Sequence, residues 1–136
     1  MSRQTELTAN DVIQVVVLVL ENNQGDILLT QRKAGQHLEG FWEFPGGKIE
    51  ANETHLSALQ RESLEEINYQ PTNPKHLTSI IHHYSKKTVQ LHVYHCIEPS
   101  PSASPNEMQP MKWVHKSKLK HIKLPAANKP ILTLID

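Results

Sequence analysis

Apolar and polar positions along this chain fall into runs of different period. Residues 12–20 are almost continuously apolar and rich in Val, which predicts a buried strand. The cluster Asn22-Asn23-Gln24-Gly25-Asp26 is turn chemistry, and the strand pattern resumes over residues 27–31, so the two runs predict a hairpin. Residues 32–40 read as a loop. Phe41-Trp42-Glu43-Phe44 is short and aromatic, Pro45-Gly46-Gly47 should break it, and loop continues to Thr54. There the period lengthens. Residues 55–67 predict a helix, with Thr54 as its N-cap and Asn68 at the left-handed position that follows a helix. Pro71 and Pro74 punctuate the exit. Residues 78–84 and 88–97 predict two strands joined through Ser85-Lys86-Lys87, with Val89, Leu91, Val93, His95 and Ile97 on one face of the second. Residues 98–110 hold four prolines and three serines and read as a long loop. Residues 111–114 suit a last strand. From Asn128 the tail predicts a helix that tolerates Pro130 only in its first turn. Strands on both sides of one long helix imply a single α/β (α+β) domain over residues 1–136, with helices packed on a mixed sheet.

Composition narrows the function classes. Hydrophobic residues make up 38% and charged residues 21%, which is globular. Fourteen Lys and Arg balance 14 Asp and Glu, so the net charge is zero. That argues against a field tuned to DNA or RNA, and no stable nucleic-acid complex is expected. Five lysines and two histidines between Lys112 and Lys123 read as a solvated face, and Lys86 and Lys87 as solvent-facing turn residues. Cys96 is the only cysteine, so no intrachain disulfide can form. Residues 1–11 are polar and lack the apolar core of a signal peptide, and the apolar run over 12–20 is about half a membrane span. The expectation is a cytoplasmic protein that does not enter membranes. Of nine histidines, His92 and His95 would face opposite sides of a strand and His82-His83 lacks Cys partners, so a zinc site is not expected.

The candidate chemistry lies on the helix. At about 100° per residue, Glu62, Glu65 and Glu66 fall within an arc of about 100°. Leu56, Leu59, Ser63 and Ile67 fall on a neighbouring, mostly apolar arc. Packed carboxylates repel: two charges at about 4 Å cost about 4 kcal/mol at an effective dielectric near 20. The groups must splay into water, take up protons, or share a cation. An all-oxygen set suits Mg²⁺ or Mn²⁺ better than zinc, and Mg²⁺ commonly completes its shell with water and phosphate. The preceding Gly46-Gly47 allows a backbone carbonyl to approach such an ion and the chain to reverse tightly beneath the helix.

These residues carry a resemblance. Gly47-x₅-Glu53-x₇-Arg61-Glu62-Ser63-Leu64-Glu65-Glu66-Ile67-Asn68-Tyr69 resembles the Nudix box, Gly-x₅-Glu-x₇-Arg-Glu-U-x-Glu-Glu-x-Gly-U with U bulky and apolar. Every charged position matches. Ser63 replaces an apolar residue, which weakens packing there, and Asn68 replaces a Gly whose left-handed conformation Asn tolerates. Residues 43–50 and 124–130 look like the MutT subfamily, and Arg32, His37, Glu107-Met108-Gln109-Pro110 and Asn128 sit where MutT-like enzymes place matching residues.

The resemblance implies a Nudix-type α/β/α sandwich with a mixed sheet between helices. It implies a monomeric, Mg²⁺-dependent nucleoside triphosphate pyrophosphohydrolase, with Mn²⁺ as a substitute and 8-oxo-dGTP as substrate. The Gly46 carbonyl, Glu62, Glu65, Glu66 and Glu107 would hold the metal. Glu62, alone or with Glu107, would orient or deprotonate the attacking water. Base and ligand stay open among them. Glu53 and Arg61 would form a supporting ion pair beside Gly47. Arg32 would reach phosphate oxygens and His37 the phosphates or sugar. Asn128, with Phe44, would line the base pocket, where the alternative use of Asn128 is a helix N-cap. An Asn amide presents a donor and an acceptor, which match O6 and N7–H of 8-oxoguanine, whereas guanine offers acceptors at both. Rival readings are CTP or another pyrimidine nucleotide, a dinucleoside polyphosphate (faintly suggested by Tyr84), ADP-ribose, or a non-catalytic nucleotide-binding module.

Overall fold

In the computed structural model the described residues are 12–135. The polar segment 1–11, read above as lacking a signal sequence, lies outside them. The centre of the fold is β1 (Val12–Glu21). It pairs in parallel with β6 (Thr88–Ile97) over ten positions, from Val12↔Thr88 to Glu21↔Ile97. Val16, Leu18 and Leu20 enter one apolar cluster, and Val17 and Val19 enter another on the opposite face. That two-sided burial is why β1 reads as a continuous apolar run rather than an alternating one. Strand β6 behaves alike. Val89, Leu91 and Val93 share a face as predicted, while His92, Tyr94 and Cys96 are buried on the other. Ile97, expected to join the first face, is 65% exposed at the strand's end.

The predicted turn at Asn22 forms, with the Asn22 side-chain oxygen accepting from the backbone N–H of Gln24 and Asp26 at 3.0 and 2.9 Å. The hairpin is only partial. β1 and β2 (Asp26–Gln31) share the pair Glu21↔Ile27, and β2 then diverges to pair with β3 (Trp42–Glu43) and β7 (Met111–His115). The sheet runs β3-β2-β1-β6-β5, and β5 (Lys75–His83) begins three residues earlier than predicted, continuing past an irregularity between His76 and Thr78.

The α-helix α1 (His55–Ile67) packs against one face of the sheet through Ala58, Leu59, Ser63 and Ile67. Leu56, assigned to the packed arc, is instead 47% exposed in the first turn. Thr54 caps the helix as expected: its hydroxyl accepts from Ser57 N–H at 3.1 Å and the Ser57 hydroxyl accepts from Thr54 N–H at 3.1 Å. Asn68 ends it with φ of 52°. The opposite face is covered by 3₁₀ segments, Lys116–His121 and Ala126–Leu134. The second replaces the tail helix expected from Asn128. Pro130 lies inside it and withholds a backbone donor, which an α-helical ladder there would need.

One correction bears on function. Gly46-Gly47 does not break the chain into loop; Gly46–Lys48 is strand β4, antiparallel to β1 in the register Val17↔Gly46, Val16↔Gly47 and Val15↔Lys48. A Cβ on Gly46 would lie 2.1 Å from the Val16 carbonyl oxygen. Glycine is thus required by close backbone approach within a sheet, not by a turn. Gly46→Ala should destabilise the protein by about 2 kcal/mol or more, since the obstructing atom is backbone. Thermal or urea unfolding measures this, and an unchanged midpoint would show that β1 and β4 can separate freely.

Candidate active site

The two glycines of β4 bring a backbone strand against α1. A Cβ on Gly47 would stand 2.2 Å from the Glu62 carboxyl carbon, so the glycine makes room for that carboxylate. Arg61 secures the arrangement. Its Nε and one terminal nitrogen donate to the two oxygens of Glu53 at 2.7 and 3.0 Å, as a planar fork meets a carboxylate. The same terminal nitrogen reaches the Lys48 carbonyl at 3.0 Å, and the other donates to Glu62 at 2.9 Å and Glu65 at 3.3 Å. The predicted Glu53–Arg61 pair is therefore one part of a hub tying β4 and its following loop to the helix. The Arg61 guanidinium holds the Glu53 carboxyl down to about 2.

Glu66 sits deepest of the acidic residues on the helix. One oxygen accepts from the Gly46 N–H at 3.0 Å, and the other from the Thr30 hydroxyl at 3.1 Å and the Gln109 amide at 3.3 Å. Burial raises its pKa from 4.5 to about 7 despite these donors, with Glu43 and Glu107 adding to the effect. Burial also raises Glu62, against the lowering influence of Arg61, and Glu65 and Glu107 push in the same direction. Glu107 is delivered by its loop. Asn106 donates its backbone N–H to Glu66 O at 3.0 Å and its amide to Glu65 O at 3.1 Å, while Ser104 N–H meets Ile67 O at 2.9 Å. The unpaired carbonyls at the end of α1 thus anchor the Pro- and Ser-rich segment. Thr30, Asn106 and the orienting role of Gln109 were missed in the sequence, where nothing marks a residue on β2 or a loop Asn as a neighbour of this helix.

Glu62, Glu66, Glu107 and Gly46 line one polar cleft of about 220 Å³, together with Arg32 and Gln109. Glu65 is turned toward Arg61, its side chain 52% exposed. Among the described residues, no three acidic, His or Cys side chains already stand in metal-holding geometry. The donor chemistry nevertheless fits a hard cation. All groups are oxygens, neighbouring carboxylates add to the raised pKa of Glu62 and of Glu66, and Mg²⁺ needs only a few carboxylates when water and phosphate supply the rest.

A second cleft, of about 240 Å³, meets the first at Arg32, Glu43 and Gly46, which line both. Its walls include Val15, Val17, Phe44, Val89, Leu91 and Asn128. Asn128 is 8% exposed, and among the described residues no hydrogen bond engages its side-chain amide. It is not an N-cap, since Pro125 precedes the 3₁₀ segment and Asn128 lies inside it. Phe44 is buried in the core beneath this cleft. Arg32 is partly committed: it donates to Glu43 at 2.9 Å and to the His37 carbonyl at 2.6 Å. The His37 ring lies edge-on to Tyr84, with centroids 5.8 Å apart. Lys87, read as a solvent-facing turn residue, also lines this cleft. No helix among the described residues is long and apolar enough to cross a membrane.

The description of the NUDIX domain family matches residues 16–134. Over 121 residues, covering 89% of both chains, the sequence is 32% identical to the CTP pyrophosphohydrolase of Escherichia coli (strain K12). Over 121 residues, again covering 89% of both chains, it is 34% identical to the 8-oxo-dGTP diphosphatase of Haemophilus influenzae. The solution structure of the E. coli ORF135 protein matches with a TM-score of 0.78 and 32% identity, covering 91% of this chain and 88% of that one. The MutT NUDIX hydrolase of Burkholderia pseudomallei shares the fold, with a TM-score of 0.83 at 22% identity, covering 92% of this chain and 98% of that one.

The raised pKa of Glu66 has a consequence with a definite sign. Between 4.5 and about 7 the folded protein retains a proton on Glu66 that the unfolded chain has released. Its contribution to stability is therefore largest at and below pH 4.5 and is lost as pH rises through about 7. A cation held by Glu66 would have to displace that proton, so Mn²⁺ affinity should strengthen from about pH 6 to about pH 8. Thermal melts of metal-free protein and Mn²⁺ titrations across this range test both statements; an affinity independent of pH would remove Glu66 from the site.

Proposed function

The chain belongs to the Nudix family of hydrolases, and from that premise we propose that it is a MutT-like nucleoside triphosphate pyrophosphohydrolase whose substrate is 8-oxo-dGTP. The observation that carries the base assignment is Asn128, a buried residue lining the apolar cleft whose side-chain amide has no hydrogen bond among the described residues. Its carbonyl accepts from N7–H of 8-oxoguanine and its NH₂ donates to O6. Guanine places an acceptor at N7, and leaving such a buried group unmatched costs about 1–3 kcal/mol.

The base then lies in the apolar cleft and the phosphate chain passes Arg32 into the acidic one. The guanidinium, held by Glu43 and the His37 carbonyl, faces phosphate oxygens at the junction. Glu66, Glu62, Glu107 and the Gly46 carbonyl would hold Mg²⁺, with Glu65, turned toward Arg61, as a further oxygen donor. When bound, Mg²⁺ neutralises charge on the phosphate oxygens and polarises the phosphorus. Glu62, whose pKa burial raises, takes the proton of the attacking water, with Glu107 beside it. A P–O bond forms at the phosphorus, the bridging P–O bond breaks, and a nucleoside monophosphate and pyrophosphate leave. Thr30, Gln109 and the Gly46 N–H keep Glu66 oriented throughout. The protein acts as a monomer on free nucleotides in the cytoplasm.

A second reading, CTP as substrate, is favoured by the similarity to the CTP pyrophosphohydrolase. The Asn128 amide is also complementary to the ring acceptor and amino donor of cytosine. Measuring kcat/KM for 8-oxo-dGTP, dGTP and CTP with Mg²⁺ decides between them. The proposal expects 8-oxo-dGTP to exceed dGTP by about a hundredfold or more. A preference for CTP moves the assignment to the pyrimidine reading, and binding without any turnover supports a non-catalytic module. Glu66→Gln should remove Mg²⁺-dependent turnover without lowering the melting temperature at pH 8, since the amide needs no ionisation. Near-normal turnover in that variant would contradict the proposed metal site.

A further inference from the structure

Three histidines that line neither cleft meet where the first turn of α1 lies on β5 and β6. The ring of His55, the first residue of α1, stacks on that of His92, with centroids 4.1 Å apart and planes 32° apart. His92 lies within β6 and is 8% exposed. Its Nδ1 is 3.0 Å from the Ser79 hydroxyl, which is 3.0 Å from Nε2 of the exposed His76 on β5. The direction of this chain is fixed from its other end. The Gln14 amide nitrogen donates to the Gln90 side-chain oxygen at 3.2 Å, so Gln14 turns its own oxygen toward His92. That oxygen only accepts, so His92 Nε2 donates to it, at 2.6 Å. Neutral His92 therefore carries its hydrogen on Nε2, and its Nδ1 accepts from the Ser79 hydroxyl. The Ser79 oxygen in turn accepts from His76 Nε2–H.

A proton on His92 Nδ1 would turn that acceptor into a donor. Ser79 would have to reverse and His76 to move its hydrogen to Nδ1, so the whole chain rearranges for one charge. Among the described residues, the titratable side chains that meet this ring are His55 from α1 and, through Ser79, His76 from β5. Tyr94 of β6 completes the group: its hydroxyl is 3.1 Å from His55 Nδ1, and its ring is 5.4 Å from that of His76. β1 contributes the neutral Gln14 amide. None of these groups is a carboxylate, and the start of α1 presents the positive end of its dipole. Burial, together with His55 and His76, pushes the His92 pKa below its ordinary value. Lifting His55 off the ring is the direct way to bring water to a charged His92, and His55 belongs to the first turn of the helix.

We propose that His55, His76 and His92 form an acid-released latch: while His92 is neutral, the stacked pair and the directed hydrogen bonds hold the first turn of α1 on β5 and β6, and a proton on His92 frees that turn. Glu53, which holds Arg61, lies two residues before His55, so release reaches the anchor of the hub as well. The sign is definite. With the folded pKa below 6.5, the latch contributes fully above pH 6.5 and is lost as pH falls through the folded value. That is opposite to the effect of Glu66, whose contribution is lost as pH rises.

Backbone amide exchange of the metal-free protein, followed by NMR from about pH 7.5 to about pH 5, tests the latch, with imidazole ¹⁵N shifts reporting tautomer and charge. The reporter is the Ala58 N–H, which donates to the Thr54 carbonyl at 3.0 Å in the first turn. Its protection factor, corrected for the intrinsic rate at each pH, should fall about tenfold or more across this range. The Asn68 N–H, which donates to the Leu64 carbonyl at 3.2 Å at the far end of α1, should change by less than about twofold. His92→Gln keeps a donor for Gln14 and an acceptor for Ser79 but takes up no proton, so it should hold Ala58 protection constant. In the wild type, His92 should be the Nε2–H tautomer at neutral pH and should charge together with the loss of Ala58 protection. That measurement decides the matter even if His92→Gln does not fold. Ala58 protection indifferent to pH, an equal fall in folded His92→Gln, or a charged His92 beneath a still-protected Ala58 would each overturn the proposal.

Discussion

The approach of β4 to β1 on one side and α1 on the other is the constraint on which the site depends. Gly46 has no space for a Cβ against the Val16 carbonyl, and Gly47 has none against Glu62. Any larger residue would push the strand and helix apart and carry the carboxylates away from the backbone. With glycines there, the Gly46 N–H reaches Glu66 at 3.0 Å. A group that would otherwise repel its neighbours is fixed by a main-chain donor. Two residues without side chains thus determine how tightly a charged helix edge can be built into the fold.

The electrostatics follow from that proximity. Carboxylates on adjacent turns destabilise one another, and the chain offsets this at one end only. Arg61 spreads its donors over Glu53, Glu62, Glu65 and the Lys48 carbonyl, which neutralises the outer part of the cluster. The inner part, Glu66, receives neutral donors but, among the described residues, no cation within hydrogen-bond reach, and its proton is held up to about 7. The fold leaves one strongly proton-retaining group where a divalent ion would supply the missing charge. The C-terminal carbonyls of α1 take part as well. Capped by Asn106 and Ser104, they draw in the loop that carries Glu107.

The two clefts are built from different elements. The acidic one is built from β4, α1 and the loop before β7. The apolar one is built from β1, β6, the β5–β6 turn and the second 3₁₀ segment. Arg32, Glu43 and Gly46 are their common boundary. Residues that line only the apolar cleft, Asn128 among them, can therefore vary without disturbing the carboxylates. Two relatives of similar identity with different substrates, CTP and 8-oxo-dGTP, are compatible with such a division.

What could be read from the sequence was whatever depends on local spacing. The helix over residues 55–67, its Thr54 cap, the left-handed Asn68, the carboxylate edge and the Glu53–Arg61 pair all lie within one short segment, where helical geometry alone sets which residues meet. The continuous apolar run of β1 likewise announced a strand buried on both faces. Other features required the tertiary structure. A Gly-Gly pair reads as a break until the facing strand is known, and only then does it become β4. Lys87 reads as a turn lysine until β6 is seen to line a cleft, although its alternation with Val89 and Leu91 was present in the sequence. Thr30, Asn106 and Gln109 come to α1 from 36 to 43 residues away, and no local pattern encodes contacts at that separation. Local geometry thus determined which groups the helix displays, and long-range packing alone decided how deeply they are buried and which residues share each cleft with them.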